Sequence, residues 1–194
     1  MAKSSHKSTT IKSVILAVFF VALILFYFNY LSNKSSTIQN TTQKEELQKL
    51  LEYDMTLDYP NTPRDVAKLH NRYFKLFYGQ SLSDEVLEKL NEKVRNLYCS
   101  ELLAINPKDE SLQRLKADIK DMKEKSLKYK LCELPEASQV ETFTKDGKEM
   151  ASLEVQITLN SSDEMGYFYQ QYIMVKENGL WKIYGWGESA RANQ

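Results

Sequence analysis

Few side chains in this chain can do chemistry. Glu101 falls in helical phase with Leu90, Val94 and Leu97, which places a carboxylate on an apolar helix face. A bare charge there is costly. The position predicts either an ion pair, with Arg64 in the first turn of the preceding helix as the candidate partner, or a wet cavity in which the carboxyl works as a base. His70 is the only histidine beyond His6 and shares a face with Val66, Tyr73 and Phe77, the usual setting of a hydrogen-bonded core histidine. Acid–base catalysis would have to use Glu101 or Asp58 as base, with His70 or a tyrosine such as Tyr59 as electrophile.

Other chemistries lack their residues. One histidine past the first twelve residues and two cysteines, Cys99 and Cys132, cannot assemble a Cys/His metal cluster. There is no G-x-S-x-G elbow and no Gly-rich phosphate loop. Neither a metal nor a cofactor is therefore expected, and the two thiols are read as free. Binding without catalysis points to aromatic side chains: Tyr59 beside Asp58 at a cavity lip, Tyr167 and Tyr169 in the run YFYQQY, and Trp181. Lys116, Lys120, Lys123, Lys125, Lys128 and Lys130 are interleaved with Asp118, Asp121 and Glu124, which reads as a solvated face with i,i+4 pairs.

The elements that must hold these residues are legible from caps and periodicity. Leu47, Leu50 and Leu51 stand at helical spacing in a short leading segment, 44–53. Thr62-Pro63-Arg64-Asp65 reads as an N-cap, a proline at the first helical position and a returning carboxylate; Gly79 ends that helix. A second helix starts at Ser83 and is expected to run through Leu97 and Tyr98, stopping before Pro107; Asn106-Pro107-Lys108-Asp109 begins a third. From about Lys128 the period becomes two. Asp146-Gly147 and Asn178-Gly179 are hairpin turns joining antiparallel strands. Helices first and a meander after them predict an α+β fold, with the helices packed on one face of a curved sheet.

Ahead of this domain, residues 13–33 carry no charge, enough to span roughly 30 Å of hydrocarbon as a helix. Lys3, Lys7 and Lys12 precede the run without an acidic neighbour, so the charge asymmetry predicts residues 1–12 in the cytoplasm, a signal-anchor helix over 13–33, a linker over 34–43 and an extracytoplasmic domain over 44–194. Setting those three lysines aside from the 26 basic residues leaves 23 against 26 acidic ones, a net −3 for the remainder. Nucleic acid is not an expected partner.

The motifs together resemble a known pattern. Helices followed by a sheet ending in Gly179-Leu180-Trp181-Lys182-Ile183 look like the nuclear-transport-factor-2-like, cystatin-like cone. More narrowly, Asp58-Tyr59-Pro60-Asn61-Thr62-Pro63-Arg64, Glu101-Leu102-Leu103 with Asn106-Pro107, and Gly185-Trp186 resemble a family of uncharacterised single-pass membrane proteins of clostridia-like Firmicutes. The resemblance implies fold and location and carries no activity. Two function classes follow. One is a non-catalytic domain at the cell envelope, binding a partner protein or a small ligand, or a second copy of itself through the sheet. The alternative is a cavity enzyme of the ketosteroid-isomerase-like or polyketide-cyclase-like kind.

Overall fold

The computed structural model describes residue 27 and residues 42–161 and 165–189. Apart from Tyr27, the expected tail, membrane span and most of the linker lie outside the described residues; among those described, no helix is long and apolar enough to cross a membrane. The chain divides into two compact units, Met1–Glu46 and Leu47–Gln194. The second is an α+β domain. A leading helix α1 covers 42–52, and Leu50 is wholly buried.

Helix α2, Pro63–Gly79, forms where the cap residues place it: Thr62 Oγ1 accepts from Asp65 N at 3.1 Å and donates to the Asp65 carboxylate at 2.7 Å. Its stripe of Val66, Leu69, Tyr73, Leu76 and Phe77 is buried. Helix α3, Asp84–Arg95, is capped by Ser83 and buries Leu87, Leu90 and Val94. It ends earlier than expected. Residues 97–99 leave the helix and lie along the last strand, with Ile183 N donating to Leu97 O at 2.7 Å and Cys99 N to Ile183 O at 3.0 Å. A separate short helix α4, Ser100–Ile105, then starts afresh with the Cys99 thiol accepting from Leu102 N. Helix α5, Lys108–Glu124, has Pro107 at its cap position rather than one residue inside; the Asn106 side chain accepts from Arg114 instead of capping.

The sheet is antiparallel: β1 Lys128–Glu133, β2 Glu141–Lys145, β3 Lys148–Asn160, β4 Met165–Glu177 and β5 Leu180–Glu188, in the order β1-β3-β4-β5, with β2 also paired to β3. Asp146 and Gly147, with φ of 52° and 73°, form the primed turn of the first hairpin, and Asn178 and Gly179 form that of the last. Leu153, Val155 and Ile157 sit opposite Tyr172, Gln170 and Phe168, so the alternation puts these six on the face that α2 covers. The helices are not confined to that face. Met150, Val175 and Ile173 project the other way and are covered by Cys99 and Leu102, because the break after α3 carries α4 past the β5 edge.

One irregularity positions a functional side chain. Ile183 pairs with Met174 but Gly185 with Ile173, leaving Tyr184 as an extra residue on β5. This bulge restores Trp186, opposite Tyr172, to the helix side of the sheet.

Candidate functional site

Two polar regions lie on the helix side of β4. The first is a closed network. His70, wholly buried on α2, has Nδ1 at 2.8 Å from the Tyr172 hydroxyl and Nε2 at 3.2 Å from that of Tyr98. Asn71 donates from Nδ2 to Ala67 O at 2.8 Å and to the Tyr172 oxygen at 3.1 Å, and accepts from Tyr129 at 2.6 Å. With Asn71 donating to it, Tyr172 spends its own proton on His70 Nδ1, and the ring then carries its proton on Nε2 for Tyr98. Burial drives the imidazole pKa down to about 3, so the ring is neutral at any ordinary pH. It is wrapped by aromatic rings: Phe74 at 4.1 Å and Trp186 at 4.8 Å between centroids.

The second region is open. Two adjoining hollows, about 320 Å³ and about 360 Å³, share the side chains Phe74, Tyr78, Asp118 and Trp186. The rings meet edge to face, Phe74 with Tyr78 at 89° and Phe74 with Trp186 at 73°. Phe168 and Gln170 from β4 close the smaller hollow, and Asp118 stands exposed at the rim. Gln170 is only 8% exposed, and its Oε1 has no hydrogen-bond partner among the described residues. In the second hollow the same holds for Nδ2 of buried Asn91. Desolvation, then repulsion from Asp121, raises the Asp118 pKa above the usual carboxylate value. Asp121 itself is engaged by Lys125 at 2.8 Å.

The residues singled out from sequence are distributed elsewhere. Glu101 does not meet Arg64. It is an exposed-side partner of Lys148, its side chain 40% accessible, and the hydrogen bond from Lys148 holds its carboxyl down to about 2; Arg64 Nε donates to Pro135 O at 2.7 Å. The reason is the early end of α3: helical phase cannot be carried from Leu90 to Glu101 across a break. Asp58 is exposed, and its carbonyl accepts from the Tyr53 hydroxyl. The Tyr59 hydroxyl donates to Trp181 O at 2.8 Å, and Lys182 lies 4.4 Å over its ring, in a hollow of about 600 Å³ that contains neither His70 nor Glu101. Trp181 is core. Tyr167 and Tyr169 touch each other, with ring centroids 5.9 Å apart, but sit roughly 23–30 Å along β4 from the residue paired with Trp181, at ~3.3 Å per residue.

Both cysteines are free, with burial pushing Cys132 up to about 11. Among the described residues no group of histidines, cysteines or carboxylates is placed to hold a metal. A further groove, about 990 Å³ beside Gly79 and Lys123, is a solvated flank: Lys116 pairs with Asp84 at 2.7 Å and Lys120 with Glu124 at 3.8 Å.

A family model described as a domain of unknown function, DUF6715, matches residues 1–186. The chain belongs to that family. No curated protein matches it. Among solved structures, TraH from the Gram-positive conjugative plasmid pIP501 is similar at 14% identity and a TM-score of 0.39, over 71% of this chain and 100% of that one. The intermembrane space region of the chloroplast protein ARC6 is similar at 14% identity and 0.31, over 66% and 98%. Neither likeness bears on function.

The residues sequence reading missed are Gln170, Asn91, Phe74 and Tyr78. A signal for Gln170 was present: it holds an inward phase on β4, between Phe168 and Tyr172, where an apolar residue is the norm.

Proposed function

We propose that this member of the family is a non-catalytic, membrane-anchored domain that binds a small ligand outside the cytoplasmic membrane, with a cone-like, nuclear-transport-factor-2-like arrangement of sheet and helices. The observation that carries the reading is the cleft of Phe74, Tyr78 and Trp186, whose wall includes Gln170, a residue with a buried and unpartnered Oε1. Ligand sites have this build: mostly apolar walls with a few convergent polar atoms.

Catalysis is disfavoured because the four candidate acid–base groups do not converge. His70 uses both ring nitrogens on tyrosines, and Glu101 is tied to Lys148. A partner protein or second copy on the open sheet face is also disfavoured. Among its exposed apolar residues, Phe143 and Leu180 stand at one end and Leu131, Met165 and Tyr167 at the other, with Glu154, Gln156 and Gln171 between them.

The uncharged run 13–33 and the lysines before it support the anchor and its orientation. Protease added to intact, wall-stripped cells is expected to remove a C-terminal epitope and spare an N-terminal one. The reverse pattern, or release of the chain from membranes by alkaline wash, overturns the location.

A further inference from the structure

We propose that the smaller hollow binds a small organic ammonium ion that still carries an N–H, held over the rings of Phe74, Tyr78 and Trp186, hydrogen-bonded to Gln170 Oε1 and balanced by Asp118. The inference rests on the ligand-binding reading and adds the chemical class.

Three independent features select a cation. Among the described residues, the charged side chains lining this hollow are Asp118 and Asp121, with no lysine, arginine or histidine. Asp121 is taken by Lys125, whereas Asp118 makes no ion pair or hydrogen bond among the described residues; Arg114, which bonds Asn106 at 2.6 Å and pairs with Glu110 at 3.6 Å, acts on it only from a distance. Three aromatic rings, Phe74, Tyr78 and Trp186, line the hollow in edge-to-face contact with one another, and aromatic rings attract a cation seated over them.

The third feature is the amide. Gln170 is more than nine-tenths buried, and the atom left without a partner is its oxygen, an acceptor. A neutral hydrocarbon would leave that acceptor unsatisfied, an anion would repel it, and a quaternary ammonium has no hydrogen to give it. A primary or secondary ammonium supplies charge and donor together. A volume of about 320 Å³ is at the small end for ligand sites and fits a single small amine rather than a peptide.

The test uses the full chain in detergent and three probes that share a benzyl group, benzylammonium, benzyl alcohol and the bulkier benzyltrimethylammonium, titrated by calorimetry at pH 7. Benzylammonium is expected to bind about tenfold or more tightly than benzyl alcohol, and Asp118→Asn to abolish that preference. Gln170→Leu is expected to weaken benzylammonium several-fold while leaving benzyltrimethylammonium unchanged, a split that a merely unfolded variant would not give. If benzyl alcohol binds as well as benzylammonium, the ammonium class is overturned and the cleft survives as an apolar site. If none of the three binds, the ligand-binding reading fails with it.

Discussion

The His70 network and the cleft beside it are built from the same elements, α2 and β4, yet treat buried polar atoms oppositely. Around His70 each ring nitrogen, the Asn71 amide and the Tyr129 and Tyr172 hydroxyls have partners. One pleat away, Gln170 Oε1 has none. A polar cluster that satisfies itself specifies a fold, and one that leaves an acceptor over is available to something else. The buried histidine, the residue that most invites a catalytic reading, therefore belongs to the structural region.

The largest effect that distinguishes the two is acid sensitivity. The folded ring resists protonation until about pH 3, while the unfolded chain takes up the proton near 6.5. With the folded pKa depressed, the unfolded state binds more protons between those values. Stability is complete above about pH 6.5 and is lost as pH falls, by about 1.4 kcal/mol per unit from this group alone. Denaturant unfolding of the full chain at pH 7, 5.5 and 4 measures it. His70→Gln is expected to remove this part of the slope and leave the carboxylates' share; equal slopes in the two proteins would mean that the imidazole is solvated.

Next comes a pair of changes on β4 with opposite signs. Tyr172→Phe leaves His70 Nδ1 and one Asn71 hydrogen without a partner and is expected to cost about 1–3 kcal/mol. Gln170→Leu removes an acceptor that already lacks a partner and is expected to raise stability by about 1 kcal/mol. Chemical denaturation of both variants checks the contrast. If both are destabilising by similar amounts, Gln170 is bonded in the protein and the open region is no different from the closed one.

How much of this was legible in the sequence follows the range of each interaction. The cap at Thr62, the turns at Asp146-Gly147 and Asn178-Gly179, and the period-two strands are local, and the observed elements follow them. His70 as a bonded core residue was legible from its apolar neighbours on α2. The end of α3 was not: it depends on residues 97–99 finding the edge of β5, some 85 positions later, and nothing within Asn96–Cys99 marks it. The cleft was hidden for the same reason, because it joins α2, α5, β1, β3, β4 and β5 and needs a one-residue bulge at Tyr184 to turn Trp186 inward.

That failure at the end of α3 sets the smallest predicted effect. Placed on an uninterrupted helix, Glu101 would be a buried charge whose neutralisation is damaging and strongly coupled to Arg64. In the structure it starts a new helix, half in water, with Lys148 and the Ser100 hydroxyl as partners, and Arg64 bonds a backbone carbonyl. Its depressed carboxyl pKa means that any contribution is present at neutral pH and fades as pH falls toward about 2; solvent and salt screen an exposed pair in both states. Glu101→Gln is therefore expected to leave the melting temperature unchanged within the reproducibility of the measurement. Combined with Arg64→Met, the two changes should add within roughly 0.5 kcal/mol, as they do for residues that share no contact. A clear drop in melting temperature on Glu101→Gln, with non-additivity toward Arg64→Met, would show that the two side chains meet after all and that α3 continues through residues 96–99 in solution.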